Sequence, residues 1–125
     1  MRVMAIIKAT ERRGSGASPD VRVRAAMGHY KDALVNAGVL LDGESLLGSS
    51  RGARVRFAGS RPTVIDGPFT NGTELVAGYW LWQVRSLDEA IEWAKRCPGP
   101  LSDGSEIEIR QVLETEDVIP PAAGS

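Results

Sequence analysis

Cysteine is all but absent. Cys97 is the single one, so no disulfide can close within the chain, and such sparing use fits a reducing compartment. Histidine is equally scarce. With only His29 and Cys97 available, and with Asp42, Glu44, Asp66 and Glu74 scattered outside any calcium-loop spacing, neither a usual zinc site nor a calcium loop can be assembled. No metal and no cofactor is expected. Neither sign of charge dominates: 15 Lys+Arg against 16 Asp+Glu leave a net charge of -1, so nothing draws the protein towards nucleic acid or an acidic membrane. A basic-aromatic array is missing too. Long apolar runs are lacking, and Met4-Ala5-Ile6-Ile7 is too short for a signal peptide or a membrane span. The expected location is the cytoplasm. No phosphate-cradling glycine motif follows a strand, and no nucleophile elbow occurs.

What remains is an ordinary domain of 125 residues, 42% hydrophobic and 25% charged, able to bury roughly 65% of its unfolded surface. One domain is expected over residues 1–118, followed by a tail, 119–125. Its centre is the turn Asp66-Gly67-Pro68-Phe69-Thr70-Asn71-Gly72-Thr73-Glu74, which leads into the most apolar strand, Leu75 to Val84. Pro68 fixes its own φ and restricts Gly67, so the turn has few conformations, with the Asp66 carboxylate placed to accept from amides just ahead of it.

Taken in order, Arg2 to Lys8 is a short apolar run, read as a central strand covered on both faces. A polar, glycine-rich loop spans Thr10 to Ala17. Ser18-Pro19-Asp20 has the form of a helix start, and the helix should run to about Ala37 and stop at Gly38. Val23, Met27, Tyr30 and Leu34 share one face, with His29, Asp32 and Asn36 opposite. Val39 to Leu47 reads as a short strand, a bend at Asp42-Gly43 and a second segment. Arg54 to Phe57 and Thr63 to Ile65 form a hairpin with one solvated face, turning at Gly59-Ser60-Arg61. In the next strand Val76, Gly78, Trp80, Trp82 and Val84 lie on one face and Leu75, Ala77, Tyr79, Leu81 and Gln83 on the other. Ser86 and Glu89 make a capping box for a helix whose buried stripe is Leu87, Ala90, Ile91 and Ala94, ending before Pro98-Gly99. After a turn-rich link from Pro100 to Gly104, Glu106 to Leu113 alternates as the last strand.

This order predicts an α+β fold: a ferredoxin-like βαββαβ sandwich with an antiparallel sheet and a β-hairpin inserted before the third core strand. Two helices cover only one face of such a sheet, so the second apolar face of the Trp80 strand calls for a second subunit. A homodimer through the sheet face is expected.

Asp66-Gly67-Pro68-Phe69, together with Ala37-Gly38-Val39-Leu40, Gly52-Ala53-Arg54-Val55-Arg56-Phe57, Gly78-Tyr79-Trp80-Leu81 and Asp88-Glu89-Ala90-Ile91-Glu92-Trp93, resembles the YCII-related family, in particular its DGPF branch. The resemblance implies a dimeric α/β barrel. It also implies that the His-Asp pair proposed as the active site in classical members does not carry over. The positions that would align with that pair fall near Met27 and at Cys97-Pro98-Gly99.

Asp66 is the foremost site candidate, since a strand-end carboxylate can act as a base or hold a cationic or hydroxylated ligand; its alternative use is as a turn cap. His29 could act as general acid or base, or simply face water. Arg51, Arg54, Arg56 and Arg61 gather at the hairpin, either to bind an anion or to keep an exposed edge soluble. Tyr79 could line a pocket or fill the core, and Trp80 and Trp82 could stack on a ligand or pack. Cys97 has no neighbouring His to lower its pKa and is not expected to act as a nucleophile. Two functions are therefore carried forward. One is a small organic ligand bound or transformed without a cofactor, at Asp66, Arg54, Arg56 and Tyr79. The other, implied by the resemblance, is a regulatory module working with a bacterial extracytoplasmic-function sigma factor.

Overall fold

The computed structural model describes residues 1–8, 21–69, 75–98 and 105–118. The Thr10–Ala17 loop, the Ser18-Pro19-Asp20 helix start, the Thr70–Glu74 half of the central turn, the Pro100–Gly104 link and the Pro120–Ser125 tail lie outside these residues. Strands β1 (Arg2–Lys8), β2 (Leu40–Ser45), β3 (Ala53–Ala58), β4 (Arg61–Asp66), β5 (Val76–Gln83) and β6 (Glu106–Gln111) alternate with helices α1 (Val21–Asn36) and α2 (Leu87–Lys95). A one-turn helix, α3 (Thr115–Val118), follows β6.

Four strands form an antiparallel sheet in the order β2-β5-β1-β6, while β3 and β4 form a separate two-stranded sheet. That is the ferredoxin-like arrangement with the expected hairpin inserted between the second and third core strands.

The ending of α1 fixes where the chain enters the sheet. Gly38 takes φ +72°, the left-handed conformation that glycine adopts without a Cβ penalty. Gly38 N–H then donates to Val35 O at 3.0 Å and Val39 N–H to Leu34 O at 2.9 Å, the paired bonds of a Schellman ending. Leu34 and Val39, the apolar pair that accompanies such an ending, are both buried. At α2, Ser86 Oγ accepts from Glu89 N–H at 3.1 Å, and Glu89 Oε1 reaches back to the N–H of Arg85 at 2.7 Å. The reciprocal cap thus closes one residue earlier than in the usual box.

Register settles the faces. Val3 stands opposite Trp82, Ala5 opposite Trp80 and Ile109, and Ile7 opposite Gly78 and Ile107. These side chains meet the helices. Trp80 and Trp82 stack with centroids 5.7 Å apart, and Tyr30 from α1 meets Trp80 edge-on at 5.6 Å. Tyr30 Oη donates to Trp93 O at 2.6 Å, tying α1 to α2. Each fully buried large side chain here stabilises the fold by about 1.5–3 kcal/mol. Trp82 is therefore core and Trp80 packs against it, although Trp82 Nε1 is buried with no partner among the described residues.

Four expectations are corrected. Val39–Leu47 is not two segments, because β2 runs unbroken through Asp42-Gly43, with its register shift between Leu40 and Asp42. A Cβ on Gly43 would stand 2.5 Å from Trp80 Cδ1, so that glycine makes room for an indole and does not mark a turn. Val76 is 43% exposed and Leu75 buried, the reverse of simple alternation, because a bulge opposite Ile7/Lys8 shifts the pleat there. The buried face of α2 is Ala90 and Trp93, with Leu87 turned outward. Finally, the hairpin is exposed on both faces, since among the described residues nothing covers Val55, Phe57 or Val64.

Candidate functional site

The Asp66 turn sits at the base of the hairpin, docked on a 3-10 turn, Ser49–Arg51, that follows β2. The docking is close. A Cβ at Gly67 would run into the Ser49 carbonyl, so only glycine permits the approach. Gly67 N–H donates to Gly52 O at 3.0 Å, Phe69 N–H donates to Ser49 Oγ at 2.9 Å, and the Gly67-Pro68 peptide bond is cis. Over the Phe69 ring lies the Arg54 guanidinium, 3.9 Å from the centroid, a cation–π contact that holds β3 against the turn.

Among the described residues these bonds bear on the capping expectation, and the amides of residues 70–74 lie outside them. The amides of Gly67 and Phe69 are satisfied by Gly52 and Ser49, so the Asp66 carboxylate does not hold them. Asp66 is exposed and has no hydrogen bond or ion pair among the described residues. Sequence reasoning missed Ser49 and Gly52, which hold the turn's described amides, because Gly52 bonds to Gly67 and Ser49, 20 residues away, to Phe69, leaving no local signal.

The four ligand-binding candidates do not gather in one place on the chain. Across the hairpin Asp66 pairs with Ala53, Arg54 with Ile65 and Arg56 with Thr63, so alternation puts Asp66 on the Val55 side of the ribbon and Arg54 and Arg56 on the other. Tyr79 belongs to the main sheet, on the face turned away from the helices, beside Met4, Ile6 and Leu81. Its neighbours are acidic: the Asp42 carboxylate, then burial, then Glu44 push the phenol above its ordinary value, since each disfavours the phenolate. Asp42 Oδ1 also accepts from Gly43 N–H at 2.8 Å.

His29 is exposed on α1, the helix layer, and the sheet separates that layer from Tyr79. No carboxylate orients it among the described residues. Cys97 is half-buried near Tyr30, and burial raises its thiol pKa, the opposite of activation. Among the described residues no group of three His, Cys, Asp or Glu side chains is placed to hold a metal ion, and no helix is long and apolar enough to cross a membrane.

The open face of the sheet is framed by ion pairs. Arg2 Nε meets Glu114 at 2.8 Å, and Glu108 takes Lys8 Nζ and Arg110, each at 3.2 Å. Asp42, Glu44 and Glu106, which share this face, have no basic partner among the described residues.

An uncharacterized protein of Rhizobium meliloti (strain 1021) is 32% identical to this chain over 76 residues, a stretch covering 61% of each. The chain thus matches less than two thirds of that relative's length. The model of the YCII-related domain matches residues 1–116, nearly the whole sequence and all six strands with helices α1 and α2, and the chain belongs to the YCII-related family.

Proposed function

We propose that the protein binds a small organic ligand at the Asp66 turn, without a cofactor, and works as a homodimer through the open face of its sheet. One observation carries the ligand reading: a turn whose described amides are tied down by Ser49 and Gly52 presents a carboxylate that holds none of them. A carboxylate so placed accepts from the hydroxyl or ammonium group of a ligand. Support for the dimer comes from Met4, Ile6, Tyr79 and Leu81, a half-buried apolar centre on the face that neither helix covers.

The test is a thermal-shift screen of wild type and Asp66→Asn against hydroxylated acids, phenols, amines and phosphorylated metabolites. A ligand at a hundred times its Kd adds about 2.7 kcal/mol to stability, a shift of several degrees. The expected result is a ligand that raises the wild-type midpoint and leaves that of Asp66→Asn in place. A shift equal in both proteins, or none with any compound, overturns the reading. The regulatory alternative, a module working with an extracytoplasmic-function sigma factor, draws its support from the uncovered Val55, Phe57 and Val64 side chains. It expects no ligand shift and a complex that Phe57→Asp abolishes.

A further inference from the structure

The β3–β4 ribbon has two unlike faces. Its register sets Val55 opposite Val64 and Phe57 opposite Pro62 on one face, and places Arg54, Arg56, Arg61 and Thr63 on the other. The apolar face is bare, and barest towards the tip: Val55 is 50% exposed, Val64 65% and Phe57 81%. The turn at the tip, Gly59-Ser60, carries no charge. Summed over the chain, charge gives no pull towards an acidic surface; on the ribbon it does. Every charged residue from 51 to 65 is an arginine: Arg51, Arg54, Arg56 and Arg61. Arg54 lies back over Phe69 at the base. Arg56 and Arg61, nearer the tip, have no acid partner among the described residues. The next acid in the chain, Asp66, stands at the base, away from the tip.

We propose that the β3–β4 ribbon is a membrane-docking element that enters the surface of an anionic bilayer tip first, with Phe57, Pro62, Val55 and Val64 among the outer acyl chains and Arg56 and Arg61 at the lipid phosphates. An amphipathic element of this kind sinks about 5–10 Å below the headgroups with its basic side directed back towards them. A ribbon is one layer thick, so arginines on the face turned away from the tails are at phosphate level, where a guanidinium pairs with phosphate through two N–H bonds. The exposure gradient and the uncharged tip fit this direction of entry, and Asp66 stays clear of the acyl chains and of the anionic headgroups nearest the tip.

A bilayer is the occupant because it answers both faces. Nucleic acid would take the arginines and leave Phe57 in water. A rigid protein partner would take the apolar face, but six residues in each strand make that face roughly 20 Å by 10 Å, or about 200 Å². Each partner in a stable protein interface gives about 800 Å². Lipid sets no such threshold, since its own charge gathers the arginines before any apolar contact is made. The inference goes beyond the ligand reading and depends neither on it nor on the homodimer.

Co-sedimentation of the full chain with vesicles tests it. Wild type is expected to pellet with an equal mixture of phosphatidylglycerol and phosphatidylcholine, to stay in solution with phosphatidylcholine alone, and to be released from the mixed vesicles by salt. Phe57→Ser is expected to weaken that partition by about tenfold or more, and R56Q/R61Q by about thirtyfold. All three side chains are exposed, so both variants keep the fold, which far-UV circular dichroism checks. Phe57→Trp supplies a readout that needs no loss of binding: its emission is expected to move to shorter wavelength when the mixed vesicles are added. A wild type that ignores the mixed vesicles overturns the inference, as does pelleting that Phe57→Ser leaves unchanged or a Phe57→Trp emission that does not move. Retention on duplex DNA, unaffected by Phe57→Ser and without vesicle binding, overturns it in favour of a nucleic-acid contact through the arginine face.

Discussion

Gly67 has the least freedom to change among the described residues of the turn. A methyl group there meets the Ser49 carbonyl, and both sides of that contact are backbone, which cannot rotate away. Gly67→Ala should therefore cost about 1–3 kcal/mol, the usual range for overpacking, read as a lower urea midpoint with an unchanged slope. Tyr30 makes a second prediction. Its hydroxyl donates to the Trp93 carbonyl at 2.6 Å, which also accepts from Arg96 N–H at 3.1 Å, so Tyr30→Phe removes one of two bonds to that carbonyl and should cost about 0.5–1.5 kcal/mol at neutral pH. Burial pushes the Tyr30 phenol well above its ordinary value of 10.0, meaning that the fold favours the neutral form. The stability this gives is fully present below pH 10, where the unfolded phenol is also neutral, and is lost as pH rises from there towards the folded pKa. Midpoints measured from pH 8 upward should fall beyond pH 10 in wild type, and fall less steeply in Tyr30→Phe.

Among the elements, those governed by local chemistry were the ones legible in the sequence. Ser86 and Glu89 announced the start of α2, and both cap bonds form; Ser86→Ala should cost about 1 kcal/mol, measured by denaturant unfolding, with Ser86→Thr retaining most of it. Gly38 marked the end of α1 just as plainly. Asp42-Gly43 misled, because the same dipeptide that makes a turn also makes room inside a strand, and only the tertiary position of Trp80 tells the two apart. The bulge that exchanges Leu75 and Val76 is likewise set by the partner strand, as is the rotation of α2 that buries Trp93. At the candidate site, Asp66-Gly67-Pro68-Phe69 was visible as a constrained turn. Its support from Ser49 and Gly52 was not, and neither was the division of Tyr79 from the hairpin, since both depend on how distant segments meet.

At the scale of the whole molecule, the sheet is stitched from residues far apart in the chain. β1 lies between β5 and β6, and the Arg2–Glu114 and Lys8–Glu108 pairs join positions 112 and 100 residues apart. These pairs give the fold an acid limit. The hydrogen bond from Arg2 holds Glu114 below its ordinary value of 4.5, and Arg110, then Lys8, do the same for Glu108. Because the folded pKa of each is depressed, the stability they contribute is present above about pH 4.5 and is lost as pH falls through the folded values, where the folded carboxylates finally take up protons. The pairs are solvent-exposed, so salt should screen them and each effect should be modest. Lowering the pH from 6 to 3 at low ionic strength should reduce the wild-type melting temperature. In Glu108→Gln/Glu114→Gln the midpoint should start lower at pH 6 and decline less, so that the two curves converge near pH 3. Parallel curves would mean that the acid limit is set by other carboxylates, and that the two ends of the sheet are held by backbone pairing and the Val3–Trp82 core alone.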